Sequence, residues 1–249
     1  VHKHAVQLKM LRDASPKLRN QILHHCGEDF SNCVCECVKN VLKENVPFNM
    51  EADSLNCIVL GDDVTPDMPE WNIFIKEVRK EMTLKAGQRC TGIRRIFVPE
   101  NKMEDVWKEI GKSLSQTVIG NPLESSVRMG SLAGQLQRNE VKEQVQKLLA
   151  SSQIIYGSLD SVEVVDADAI KGAFISPVLL MNEKPWDIVP GYISNPSHEV
   201  EAFGPVSTIM PYKTTDDAIG LGKLGKGSLV STIVTADNKI AKQYVIGAA

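Results

Sequence analysis

The sequence predicts an α/β fold, a mostly parallel sheet flanked by helices. Short apolar runs alternate with amphipathic stretches long enough to be helices. Glycine and proline punctuate the boundaries between them. The chain has 249 residues, 43% hydrophobic and 24% charged, enough for a sizeable buried core.

The elements follow in order. Leu55 to Leu60 is an apolar run stopped by Gly61-Asp62-Asp63, the signature of a buried strand. Pro69 to Ala86 reads as a helix. Pro69 suits its first turn, Glu70 opposes the dipole there, Phe74, Val78 and Met82 recur at spacing four, and Gly87 ends it. Arg95 to Pro99 is a strand and Met103 to Leu114 a helix. Glu140 to Ala150 is a further helix, followed by a strand at Ile154 to Tyr156. Strands are expected at Phe174 to Met181, Pro205 to Met210 and Ser228 to Thr235, and helices at Asp216 to Leu224 and Asn238 to Ile246. In such sheets the chemistry is expected in loops beyond the carboxyl ends of the strands.

The first 50 residues stand apart. They hold one glycine, Gly27, and carry seven Lys or Arg against five Asp or Glu, with four of the six cysteines and four of the five histidines. Val6, Met10, Ala14, Leu18 and Ile22 form an amphipathic stripe that Pro16 should kink. His24-His25-Cys26 with Cys33, Cys35 and Cys37 supplies residue types that zinc prefers, but the Cys-x-Cys-x-Cys spacing is not that of a zinc finger. No metal ligands are assigned.

A net charge of −3 disfavours wholesale binding to nucleic acid or to an anionic membrane surface. No apolar stretch approaches the ~20 residues that span a bilayer. The cysteines do not form a secreted disulfide framework. A reducing compartment fits better, and the cytoplasm is the expected location.

Three segments can do chemistry. Cys90 lies in Gly87-Gln88-Arg89-Cys90-Thr91, between a helix and a strand, with Gly87 and Gly92 allowing close backbone approach. Arg89, Arg94 and Arg95 are expected to favour its thiolate. Buried, the same cysteine is merely a small hydrophobe. Glu51, between Met50 and Ala52 ahead of the first strand, can be a desolvated general base or a solvated loop acid. Glu201 and Phe203 precede Gly204-Pro205, either as a plain turn or as an acid and a ring presented to a ligand.

Together, Met50-Glu51-Ala52-Asp53-Ser54-Leu55-Asn56, Gly87-Gln88-Arg89-Cys90-Thr91 and Glu201-Ala202-Phe203-Gly204-Pro205-Val206 resemble the aldehyde dehydrogenase superfamily. They are most similar to its branch in the bifunctional enzymes of phenylacetate degradation, over roughly residues 46–246. The resemblance implies that the Cys90 thiolate attacks an aldehyde, that backbone N–H near Cys90 holds the oxyanion, and that hydride passes to NADP or NAD. Glu51 then activates water against the thioester. Glu201 meets the nicotinamide ribose and Phe203 packs beside it. In that branch the substrate is a semialdehyde carrying a CoA thioester. Family members are commonly homo-oligomers.

The sequence departs from the family upstream of Glu51, where no glycine-rich phosphate turn follows a strand. The expected division is an irregular helical segment, 1–45, as a remnant of a cofactor domain, and a catalytic domain, 46–249. The chain is about half the family's usual length and reads as truncated. Two other readings stand beside this one. A decayed, inactive relative would serve as a binding or scaffold module, marked by an unreactive Cys90. A metal-binding module at 24–37 would retain stoichiometric zinc.

Overall fold

A computed structural model describes Lys43, residues 53–226 and residues 228–248. The amphipathic stripe from Val6, the Cys/His-rich stretch 24–37 and Glu51 lie outside them. All that follows concerns the compact unit Ser54–Ala249.

Six strands form one sheet: β1 (Cys57–Leu60), β2 (Arg95–Pro99), β3 (Gln153–Tyr156), β4 (Val178–Met181), β5 (Val206–Tyr212) and β6 (Ser231–Val234). Their spatial order is β3-β4-β5-β2-β1-β6. Every pairing is parallel except that of β3 with β4. The central strands β1 and β2 are buried along their whole length, because helices cover both faces of the sheet.

Strand alternation divides the side chains between two layers. Ile58 and Leu60 of β1 face a core made with α1 (Pro69–Thr83) and α2 (Met103–Ser115), through Trp71, Phe74 and Val78 of the first and Val106, Ile110 and Leu114 of the second. Cys57 and Val59 face the opposite way, onto Ala218 and Leu221 of α4 (Thr215–Lys223) and Tyr244 of α5 (Asn238–Ala248). Val141, Val145 and Leu148 of α3 (Gln135–Leu148) cover Val178 and Leu180 of β4 and Val206 of β5.

The expected helices and strands all form, with shifted bounds where polar groups or proline intervene. α1 stops at Thr83 rather than Ala86, and the chain turns through left-handed Lys85 (φ 55°), Ala86 (φ 51°) and Gly87 (φ 70°). α3 begins five residues before the expected Glu140, because Gln137, a polar residue that blurs the apolar period, is buried. β4 starts at Val178 because Pro177 has no N–H for the ladder. β6 starts at Ser231, since the N–H groups of Leu229 and Val230 go to the side chains of Ser54 and Asn56.

Arg95 pins the second layer to the sheet. It is fully buried and donates to the carbonyls of Leu55, Leu221 and Gly222, the last two at the C-terminal end of α4. Its Nη1 lies 3.0 Å from His198 Nδ1. A guanidinium donates and never accepts, so Nδ1 accepts and Nε2 carries the proton, donated to the Pro185 carbonyl at 3.0 Å. Burial, then the Arg95 charge, pushes the His198 imidazole from 6.5 down to about 4.

The sign follows. Between those values the unfolded chain binds a proton that the folded chain refuses, so stability falls as the pH drops from about 6.5 toward about 4. Between pH 7 and pH 5 the His198 contribution to this loss is about 2 kcal/mol. Denaturant unfolding at the two pH values is expected to show that difference shrinking by this amount in His198→Gln. An equal difference in both proteins would remove His198 as its source.

Candidate active site

β5, β2, β1 and β6 are parallel neighbours, so the segments that precede them emerge along one edge of the sheet. Cys90 lies ahead of β2, and Glu201 and Phe203 lie ahead of β5. The expectation of chemistry beyond the carboxyl ends therefore fails for these residues. They stand at the amino ends, where the chain enters the strands from the helical layers.

Cys90 is an exposed free thiol. The Gly92 N–H donates to the Arg89 carbonyl at 3.1 Å and closes a four-residue turn with Cys90 and Thr91 at its centre. Asn56, fully buried between β1 and this turn, donates from Nδ2 to the carbonyls of Cys90 at 2.8 Å and Gly92 at 3.0 Å. Gly87 approaches the backbone of Gly204 so closely that a Cβ there would overlap it. With φ +70° as well, that position is restricted to glycine.

Arg94 joins the two loops. Nη2 donates to the carbonyls of Gly87 at 2.8 Å and Arg89 at 3.3 Å, on the cysteine side. Nη1 donates to the Gly204 carbonyl at 2.9 Å, and Nε pairs with Glu201 Oε1 at 2.9 Å. The Phe203 ring centroid lies 5.4 Å from the guanidinium carbon, within cation–π range. The second Glu201 oxygen accepts the Ser54 N–H at 3.0 Å, which ties in the start of β1. Gln137 of α3 donates to the Phe203 carbonyl at 2.8 Å.

The side chains of Arg94 and Glu201 are 4% and 2% exposed. Burial pulls Arg94 below the ordinary arginine value, and the Glu201 carboxylate opposes that pull. The hydrogen bonds of the three arginines go elsewhere than to the thiol. Arg89 pairs with Glu81 at 2.5 Å and donates to Thr91 Oγ1. Arg94 braces the loops and Arg95 braces α4. Among the described residues, none of them hydrogen-bonds Cys90 Sγ.

A groove of about 580 Å³ opens beside the turn, between α1 and β6. Arg89 and Thr91 of the turn line it, with Glu70, Glu77 and Glu81 on the helix wall and Thr232 and Val234 on the strand wall. Sequence reasoning missed Asn56, Ser54 and Gln137. The available signal was an asparagine inside an otherwise apolar strand, since a buried carboxamide requires partners. The described residues contain no cluster of three His, Cys, Asp or Glu side chains able to hold a metal, and no described helix is long and apolar enough to cross a membrane.

Comparison with known proteins gives one consistent picture. The model of the aldehyde dehydrogenase family matches residues 37–247. The chain is 37% identical over 210 residues to the 3,4-dehydroadipyl-CoA semialdehyde dehydrogenase of Aromatoleum evansii, covering 84% of this chain and 40% of that protein. It is 39% identical over 123 residues to protein MaoC of Klebsiella aerogenes, covering 49% and 33%. Among solved structures, betaine aldehyde dehydrogenase of Staphylococcus aureus in complex with NAD+ superposes with a TM-score of 0.71 at 19% identity, covering 86% of this chain and 40% of that one. Succinic semialdehyde dehydrogenase of Streptococcus pyogenes with NADP+ gives 0.68 at 18% identity, covering 86% and 43%. These likenesses confirm the α/β fold with a mostly parallel sheet. The chain spans 40% and 33% of the length of these two curated relatives.

The Arg94–Glu201 pair yields a direct expectation. Removing one partner leaves the other charged, buried and unpaired, which costs about 3–5 kcal/mol. Glu201→Ala is expected to lose that much in denaturant unfolding, and Arg94→Met with Glu201→Leu together are expected to lose less than the two single changes summed. A loss under about 1 kcal/mol in Glu201→Ala would mean that the pair does not hold the loops.

Proposed function

The chain belongs to the aldehyde dehydrogenase family, and we propose that it carries the nucleophile, base and nicotinamide-facing loop of an NAD- or NADP-dependent, aldehyde-oxidising enzyme. The observation that supports this most is the exposed Cys90 thiol on a turn braced by Asn56 and tied through Arg94 to Glu201 and Phe203.

Cys90, as thiolate, adds to the aldehyde carbon, and the carbonyl π pair moves onto oxygen to give a thiohemiacetal. A nicotinamide, when bound, accepts the hydride that this carbon must lose to become a thioester. Glu51 takes a proton from water, the hydroxide adds to the thioester carbon, and the Cys90 thiolate leaves as the acid forms.

The residues present fit the nicotinamide end of such a cofactor. Phe203 is a half-buried residue whose ring meets the Arg94 guanidinium and whose backbone carbonyl is held by Gln137. Glu201 is a fixed carboxylate in the same loop, and we assign it to the ribose of the nicotinamide half on the strength of the family resemblance.

The substrate we infer is a semialdehyde, with a CoA-linked one favoured by the name of the Aromatoleum relative. The phosphates of such a substrate would lie outside the groove beside Thr91, whose helix wall carries three glutamates. The assembly we infer is a homo-oligomer. β3 and β6 end the sheet as edges that pairing between copies would cover, and sedimentation velocity reads that state directly.

Titration of the purified chain with NAD or NADP and then a semialdehyde, following absorbance of the reduced nicotinamide, tests the reading. Turnover abolished in Cys90→Ser is expected. In Glu51→Gln a single burst of reduced nicotinamide should survive while steady turnover falls by about 10²-fold or more, because the thioester forms but is not hydrolysed. No turnover, with Cys90 still labelled by a thiol reagent, would replace the enzyme with a binding or scaffold module built on the same domain.

A further inference from the structure

Asn56 fastens the turn that carries Cys90 to the segments that enter β1 and β6. Nδ2 donates to the Cys90 and Gly92 carbonyls, and Oδ1 accepts from Ser54 Oγ at 2.7 Å and the Val230 N–H at 2.8 Å. All four of its hydrogen-bonding positions are filled, and the residue is fully buried.

The consequence lies in the peptide unit between Cys90 and Thr91. In a trans peptide the carbonyl and the following N–H point in opposite directions. Asn56 draws the Cys90 carbonyl inward, so the Thr91 N–H faces away from Asn56. The turn geometry agrees, because the two central N–H groups of such a turn take no part in its closing bond. Among the described residues, neither the Cys90 nor the Thr91 N–H finds an acceptor. Both stand beside an exposed thiol.

We propose that Asn56 is a positioning residue that aims the Thr91 N–H, together with that of Cys90, at the oxygen of a carbonyl under attack by Cys90 Sγ. This rests on Cys90 being the nucleophile. As the C–S bond forms, the C=O π pair moves onto oxygen, and the aimed N–H groups stabilise the charge that develops there. Asn56 touches no reacting atom and acts through the backbone it holds.

Two reactions of Cys90 in the full chain, neither needing a cofactor, separate this role from plain support of the turn. Acylation by 4-nitrophenyl acetate passes through an oxyanion and expels nitrophenolate. Alkylation by iodoacetamide displaces iodide at a CH2 carbon and develops no oxyanion. In Asn56→Ser and Asn56→Asp, with Cys90→Ser as background, acylation is expected to fall by about a hundredfold or more while alkylation stays within about threefold. Both rates falling together, or neither falling, would overturn the proposal. A variant that does not fold leaves a test on the unaltered chain: the Thr91 amide should exchange its hydrogen about as fast as an unprotected peptide, and strong protection would overturn the assignment. A Cys90 that neither acylates nor alkylates in the unaltered chain would overturn the nucleophile itself. One that alkylates but does not acylate would overturn the aimed donors alone.

Discussion

The buried pair of Arg94 and Glu201 is the constraint on which the candidate site depends. Neither charge can be left alone in a dry interior, because each has lost its water. The guanidinium recovers that loss through five contacts spread over two loops, and the carboxylate through Arg94 and the first backbone N–H of the β1 segment. Three stretches far apart in sequence are thereby held at one edge of the sheet. The parallel order of β5, β2 and β1 brings their entrances side by side, and the ion pair fixes how those entrances meet.

Much of the fold was legible because its periods are simple. β2 has the expected bounds, Arg95 to Pro99, and α2 differs by one residue at its end. In α2 the apolar period runs without proline or a buried polar side chain, and in β2 the apolar run Ile96-Phe97-Val98 is bounded by Arg95 and Pro99. Legibility fails where a polar group is buried for the sake of a distant partner. Gln137 breaks the apolar stripe of α3 because it serves Phe203, 66 positions on. The first residues expected in β6 are diverted to Ser54 and Asn56, some 175 positions earlier. Local pattern carries no information about such pairings.

The site was legible in part for the same reason. Cys90, Glu201 and Phe203 stand out by their glycine and proline neighbours, and the structure places all three at one sheet edge. Arg94 was visible as a residue, yet its partner lies 107 positions away, so its function as a brace could not be read from its neighbours. A run of arginines beside a cysteine suggests thiolate stabilisation. The hydrogen bonds of these three guanidinium groups go to carbonyls, carboxylates, a hydroxyl and an imidazole, partners that the local run does not reveal.

Arg94 and Arg95 are consecutive in extended chain, so their side chains leave on opposite faces of the sheet. One braces the loops around the thiol and the other clasps the end of α4, which makes this dipeptide a rivet through the whole thickness of the domain. A rivet has a phase. Moving the register of β2 by one residue would swap the two faces, bury each guanidinium in the wrong layer and strand both sets of acceptors. What cannot shift is the place of this dipeptide relative to the register of β2.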